Sequence, residues 1–573
     1  MFGLRKRRQY SKDDDTVPRR SSSVVSISSL SQSVDDSINI DGIGFSSIGS
    51  LFRFDSSNLQ STKWRKIQMQ SSTTPPTFVN HFGVEVCFIE QYHYTKTELE
   101  PYRKVGDTEM DELLQYLSQN KDGCGCGAFD DVISHIVKEY QVNSDADTPT
   151  VQFYKHYYEN IPNWVDFEQI QRGIDVFLSY LPVAGCSLFY RSLVGGFSIP
   201  EIVEVLQATQ YLVGDKEKSV ERLFDTGGFL ACCFAPSLPT TTTDTNEVQS
   251  ALSLRPGGKG WEAALRVRVL HAKVRRSLLQ SKRRVWDVET NGIPINQEDL
   301  AATLLAFSVN VLLGIEIIAG KPLPGNEQVD YLALWRYLGW LLGVDTVETE
   351  DGRSSNTSKH SNLPPIDPCG EGKIGMIDTD CQEDMSFDDG NSLIHSYATL
   401  ESMILHLLHP KKSSRALVSH LLSLRRFVLF RSEVCRRFLG EELSDELDIS
   451  RSTIKWKGMK WETFNNVMTH LVIKFFVYLF LMFLRVYTLM TMRFSWTRRR
   501  AIKFHAVLET KFLIGWQQMN AKRVTRAKAT IKNIDAKSTS NCPFSMIMTP
   551  NSYSFMYITL YLYIKCINIE YIY

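Results

Sequence analysis

The sequence lacks an excess of charge of either sign: 64 lysines and arginines face 64 aspartates and glutamates. A neutral chain with a pI near 7.2 makes no electrostatic case for a polyanion, so no nucleic-acid partner is expected. Paired cysteines are missing too. The eleven cysteines are scattered, with one C-x-C (Cys124, Cys126), one vicinal pair (Cys232, Cys233), no C-x-x-C suited to zinc and no C-x-x-C-H suited to covalent haem. Reduced thiols follow. Behind the basic cluster Arg5–Arg8 no apolar run follows, so no secretory signal peptide is expected.

Other catalytic signatures are equally scarce. No G-x-S-x-G elbow or dinucleotide fingerprint occurs, which removes the sequence argument for a hydrolase or a nicotinamide enzyme. The PGGKG at Pro256–Gly260 lacks the hydroxyl residue after lysine that would hold magnesium, so it is not a phosphate loop. The H-x-x-H-P at 406–410 lacks the glutamate of a zinc protease and reads as a helix end stopped by Pro410.

What is present is apolar periodicity. Residues 1–75 are Ser-rich and poor in large apolar clusters, and are expected to be disordered. From Phe78 onward, segments such as Met110–Leu117, Phe129–Tyr140, Phe167–Leu178 and Ile199–Leu212 place apolar residues three and four apart, and few show strand alternation. The fold class expected is all-α. One large helical domain spans 76–345, and Pro236–Gln249 forms a loop within it. Gln297–Ala319 is a helix or helix pair, followed by a helix over Val329–Leu342, in which Trp335 and Trp340 read as core. A Gly/Ser/Asp/Pro-rich insertion covers 346–391, and helices resume over 392–450.

The segment 451–500 holds Leu471–Met492, long enough at 1.5 Å per residue to span about 33 Å. Lys474 could snorkel, but Arg485 lies well inside and would cost about 2.5–3.5 kcal/mol at the centre of a spanning helix. A membrane helix and a core helix therefore both remain open. Residues 501–573 form a basic and then apolar tail.

Two patterns carry possible chemistry. In LRVRVLHAKVRRSLL (265–279) His271 shares a helical face with Val267, Val274 and Leu278, with Arg268 and Arg275 beside it. Such an imidazole could bind iron while the guanidiniums pair with propionates. From spacing alone the plainer reading prevails: a core histidine satisfied by a carbonyl, with solvent-facing arginines. In Arg222-Leu-Phe-Asp-Thr226 the arginine and threonine, four apart, could offer a cation and a hydroxyl to an oxygen species; the plain alternative is a salt bridge and a backbone hydrogen bond.

Taken with LEPYRKVGDTEMDELL (99–114), NIPNWVDFEQIQRGIDVF (160–177), SLVGGFSIPEIVEVLQATQYL (192–212), ERLFDTGGF (221–229), NGIPINQEDLAATLLAFSVNVLLGIE (291–316), YLALWRYLGWLLGVD (331–345) and CRRFLGEELSDEL (435–447), these patterns resemble one family. It joins bacterial rubber oxygenases, or latex-clearing proteins, with the mpaB-type fungal oxygenase bound to the endoplasmic reticulum. The resemblance implies an all-α fold around non-covalent haem b, with His271 of the R-x-x-H-A motif as the iron ligand and Arg268 and Arg275 positioning the helix or cofactor. It implies Arg222 and Thr226 on the distal side, and Glu204 as the nearest candidate for a distal carboxylate. Where rubber oxygenases carry a lysine before the threonine, this chain has Asp225, which cannot copy an amine ligand. The implied activity is dioxygen-dependent cleavage of a carbon–carbon double bond in an isoprenoid or related lipid, at an intracellular membrane such as the endoplasmic reticulum. The alternative is a non-catalytic helical lipid- or haem-binding protein that keeps the fold.

Overall fold

The computed structural model describes residues 74–119, 132–236, 252–347, 363–370, 391–451 and 461–535, apart from isolated positions. The Ser-rich tail, most of the 346–391 insertion and the apolar C-terminal tail expected from the sequence lie outside these residues.

Among the described residues the architecture is helical, with one small exception that periodicity did not reveal. Strands β1 (Thr77–His81) and β2 (Val84–Phe88) pair antiparallel. Their two-residue turn holds Phe82 and Gly83 at φ 51° and 78°, the left-handed geometry that two-residue hairpin turns require. Five residues per strand are too few for alternation to stand out from a short apolar run.

The main helices are α1 (Thr108–Gln119), α2 (Val132–Val142), α3 (Pro149–Tyr158), α4 (Phe167–Ser179), α5 (Leu181–Cys186), α6 (Pro200–Ala208), α7 (Lys216–Phe234) and α8 (Lys259–Leu279). They continue as α9 (Gln297–Phe307), α10 (Val309–Ala319), α11 (Gly325–Leu341), α12 (Asn391–Leu407), α13 (Lys412–Leu422), α14 (Val428–Leu439), α15 (Trp461–Arg493) and α16 (Ser495–Asp535). Starts follow capping chemistry: Asp166 and Asp215 accept backbone N–H groups of the first turns of α4 and α7, and Pro149, Pro182 and Pro200 sit in first turns where no N–H is needed. After α5 the chain continues through a π-helical stretch, Ser187–Val194. The expected Gln297–Ala319 segment is a pair, broken at Ser308, whose hydroxyl turns back to the Leu304 carbonyl.

The centre is built on α11, buried along its length. It packs on α4 so closely that a Cβ at Gly173 would stand 2.3 Å from the Asp330 carbonyl oxygen, so only glycine fits there. Trp335 and Trp340 are each 1% exposed and belong to the core. One apolar cluster joins β2, α1–α14 and the covered face of α15.

The two C-terminal helices differ from the rest. Of the twenty-two large apolar residues exposed among the described residues, thirteen lie between Leu471 and Ile514. Among the described residues two stretches are long and apolar enough to cross a membrane by length and composition, Gln297–Ala319 and Leu471–Arg493. The first lies largely inside the protein, the second largely outside.

Candidate functional site

Helices α7 and α8 place both sequence patterns. They form a hairpin whose closed end is fixed at Gly260, where an added Cβ would meet the Cys233 Cα at 2.8 Å. Ser253 reinforces that end by donating its hydroxyl to the Cys232 carbonyl and accepting the Gly260 N–H. His271 lies eleven residues along α8 from this contact, and Arg222 eleven residues back along α7. At 1.5 Å per residue both stand about 16 Å from the closed end. Equal lengths of helix thus separate the two motifs from the closed end.

An open cavity of about 470 Å³ adjoins α7. Arg222, Leu223, Thr226, Gly227 and Leu230 form one wall, and apolar residues of the Leu181–Val194 stretch, α6, α9 and α12 form others. Glu509 and Phe512 of α16 also line it, as do the polar residues Arg191, Asn310 and Arg431. Arg222 sits 3.9 Å from Asp225, and Thr226 donates to the Arg222 carbonyl at 3.3 Å. The plain alternative for this pair is therefore realised, yet both side chains still face the cavity.

The other motif is arranged differently from either reading of it. Arg268 and Arg275 are fully buried rather than solvent-facing, because Asp107, just before α1, and Glu109 and Asp111 in its first turn meet them. Arg268 donates to both oxygens of Asp107, at 2.7 and 2.8 Å, and to Glu109 at 2.8 Å, and stacks over the ring of Tyr157. Arg275 donates to Asp111 at 2.6 and 3.0 Å and to the Ile295 carbonyl. These guanidiniums are engaged as helix clamps, so cofactor propionates are not their partners in this arrangement.

His271 lies between the two arginines on a half-buried flank of α8. Its Nδ1 is enclosed and has no hydrogen-bond partner, so no carbonyl satisfies it. Burial, and secondarily the Arg275 charge, push its pKa down to about 4, which keeps the ring neutral at pH 7. A neutral imidazole with an unpartnered nitrogen is the donor a haem iron requires. His271 does not line the cavity, and neither do Glu204, Asp225, Arg268 or Arg275. Asp225 instead accepts from Arg523 at 2.9 Å and from the Trp516 indole at 3.3 Å, tying α16 onto α7. Against a haem, then, His271 has the chemistry of an iron donor but does not open onto the cavity, and Arg268 and Arg275 are engaged by carboxylates.

Arg191, Arg431 and Glu509 line the cavity although the sequence did not single them out. Glu509 is a carboxyl in a largely apolar cavity, and burial alone raises its pKa to about 7. The available signal was its place beside Leu508, Phe512 and Leu513, the buried face of α16. The H-x-x-H-P segment ends α12, and its histidines engage carboxylates: His406 bonds Glu298 at 2.5 Å and His409 bonds Glu201 at 3.3 Å. Among the described residues no group of three or more His, Cys, Asp and Glu side chains is placed to hold a metal ion; a haem iron needs only one protein donor.

Fold and site together define an all-α protein with an apolar cavity beside a helical hairpin that carries two arginine motifs. Residues 205–472, somewhat under half of the chain, match the model of the family described as ER-bound oxygenase mpaB/B'/Rubber oxygenase, catalytic domain. The matched segment contains Arg222, Asp225, Thr226, Arg268, His271 and Arg275. Among solved structures, the chain is similar to that titled "Structure of Latex Clearing Protein LCP in the closed state", at 16% identity and a TM-score of 0.39, over 73% of this chain and 96% of that one. No curated protein matches it.

Proposed function

We propose that the protein is a haem-dependent oxygenase that cleaves a carbon–carbon double bond of an isoprenoid or related lipid with dioxygen. The observation that carries this reading is a neutral imidazole on α8 whose enclosed Nδ1 has no partner, as many residues from the closed end of the hairpin as the arginine of α7 that lines an apolar cavity. His271 would hold the iron of non-covalent haem b, which supplies the oxygen chemistry. The two oxygen atoms of dioxygen end as two carbonyl groups at the severed carbons, so no other reductant or oxidant enters.

The chain's own residues have distinct parts in this proposal. The walls of the cavity take the hydrocarbon and exclude water. Arg222 presents a cation and Thr226 a hydroxyl toward its interior, where either meets polar oxygen more strongly than in water. Glu509, with a pKa near 7, can hold or release a proton at its carboxyl at neutral pH. Arg268 and Arg275 act by fixing α8 to α1, and so position His271. The substrate class and the apolar C-terminal helices together support a location at the endoplasmic reticulum or another intracellular membrane.

A second reading, a non-catalytic lipid-binding protein, is favoured by one observation: Asp225, in the place of the family lysine, is engaged by Arg523 and Trp516. Absorption spectra of the full chain in detergent with added haem, beside His271→Ala, test the first reading. A Soret band in the parent that is lost in the variant supports it. No band in a folded parent sinks it, and haem without oxygen-dependent aldehyde or ketone formation from an isoprenoid leaves the second.

A further inference from the structure

We infer that α15 and α16 dock the protein onto one leaflet of an anionic bilayer, with α15 lying along the surface rather than crossing it. This rests on the membrane part of the preceding reading and is independent of its chemistry. The exposed residues Phe475, Phe476, Leu479, Phe483, Val486 and Met490 recur at three, four and seven positions along α15, so they form one apolar stripe along its outer face. The opposite face is committed to the protein. Leu484 and Thr488 are fully buried, and the Tyr487 hydroxyl donates to the Ser179 carbonyl at 2.6 Å. Arg485, the charge that sits badly in a spanning helix, points inward against Gly320.

A crossing would carry more than α15 into the hydrocarbon. The covered face packs on α14, with Phe430 and Phe480 rings 5.7 Å apart, and α14 bears Arg431, Glu433, Arg436 and Arg437 within twelve residues. Those charges cannot follow α15 to bilayer depth at acceptable cost. A helix that shows one apolar face and keeps the other on a charged body lies in the interface.

Charge complementarity names the surface. At the junction of the two helices Arg493, Arg499, Arg500 and Lys503 are exposed, and the Arg500 guanidinium lies over Trp496, an exposed aromatic of the type that sits at headgroup level. Arg498 and His505 hold α16 to the body through Glu327 and the Leu178 carbonyl, so the basic turn is presented rigidly. The same α16 lends Glu509 and Phe512 to the cavity while Phe504, Val507 and Ile514 stay exposed. One helix thus separates the leaflet from the apolar cavity.

The test uses the full chain and vesicles of phosphatidylcholine with or without phosphatidylserine. Flotation is expected with the anionic vesicles, weakened at least tenfold by Phe475→Asp with Phe483→Asp. Arg499→Gln with Arg500→Gln should abolish the preference for anionic over neutral vesicles. All four positions are exposed, and circular dichroism confirms that the variants fold. Fluorophores on Phe475→Cys, Phe483→Cys and Met490→Cys, quenched by lipids brominated at successive acyl positions, read depth. Equal, shallow depths are expected. A central probe at the bilayer midplane with its neighbours shallower overturns the in-plane arrangement, and absence of flotation on any vesicle overturns membrane docking altogether while leaving the haem experiment standing.

Discussion

The two helices of one hairpin use the same residue type for opposite ends. On α7, Arg222 is 40% exposed, stands 3.9 Å from Asp225 and lines the cavity. On α8, Arg268 is wholly enclosed and donates to two carboxylates while stacking on an aromatic ring. The difference teaches that an arginine beside a candidate ligand is read by the acids that reach it. Asp107, just before α1, with Glu109 and Asp111 on it, takes both arginines of α8. Removing the clamp breaks the comparison most severely. Arg268→Ala leaves the Asp107 carboxylate, 3% exposed, buried without its guanidinium, and is expected to cost about 3–5 kcal/mol. Arg222→Ala is expected to cost under about 1 kcal/mol, as exposed ion pairs do. Denaturant titrations of the two variants check this; equal losses would mean that Arg222 is also a structural clamp.

A second contrast lies between His271 and Glu509, whose ionisations are displaced in opposite senses by the same cause, burial. His271 is depressed from 6.5 to about 4. Between those values the unfolded chain binds a proton that the folded chain refuses, so stability rises with pH across that window and is lost on acidification. Glu509 is raised from 4.5 to about 7. There the folded chain keeps a proton that the unfolded chain has released, so stability falls as pH rises through the window. At about 1.4 kcal/mol per unit each effect is of order 3 kcal/mol, and in the parent they largely offset each other between pH 4.5 and 6.5. Measured without added haem, Glu509→Gln should make stability climb more steeply with pH, and His271→Ala should make it climb less or fall. Parallel curves for parent and both variants would refute the displaced ionisations.

How much of this was legible in the sequence depends on how local the cause is. Helix starts at Asp166, Asp215 and Pro200, the pair broken at Ser308 and the burial of Trp335 and Trp340 all follow from neighbouring residues, and the helical fold class follows from their sum. The hairpin at Thr77–Phe88 was hidden by its brevity. The burial of Arg268 and Arg275 was hidden because their partners lie some 160 positions upstream, and a helical wheel of α8 shows only that they share a side with His271. Glu509 was hidden for a related reason: its meaning comes from α7 and α6 across the cavity, although a carboxyl on the buried face of an amphipathic helix was a visible irregularity. Arg485 shows the converse. It was conspicuous in the sequence as a charge in an apolar run, and packing beside Gly320 resolves it by turning that side of α15 inward.

The smallest expected effect separates the wall of the cavity from its cover. Asp225 holds α16 through Arg523 and Trp516, at side-chain exposures of 26% and 17% for the two charged partners, so the ion pair contributes about 1 kcal/mol or less to global stability. Its local effect is larger in kind, because Phe512, which seals the cavity, lies one helical turn from Trp516 on the same helix. Asp225→Asn should therefore leave the denaturation midpoint nearly unchanged while raising protease cleavage and amide exchange in α16, and Thr226→Val, on the cavity side of the same turn, should change neither. If Asp225→Asn left α16 as protected as in the parent, the hydrophobic contact of Gly227 and Gly228 with Phe512 and Trp516 would be sufficient to hold the cover. Asp225→Lys goes one step further: a lysine facing Arg523 repels it, so this change should loosen α16 more than the neutral one does.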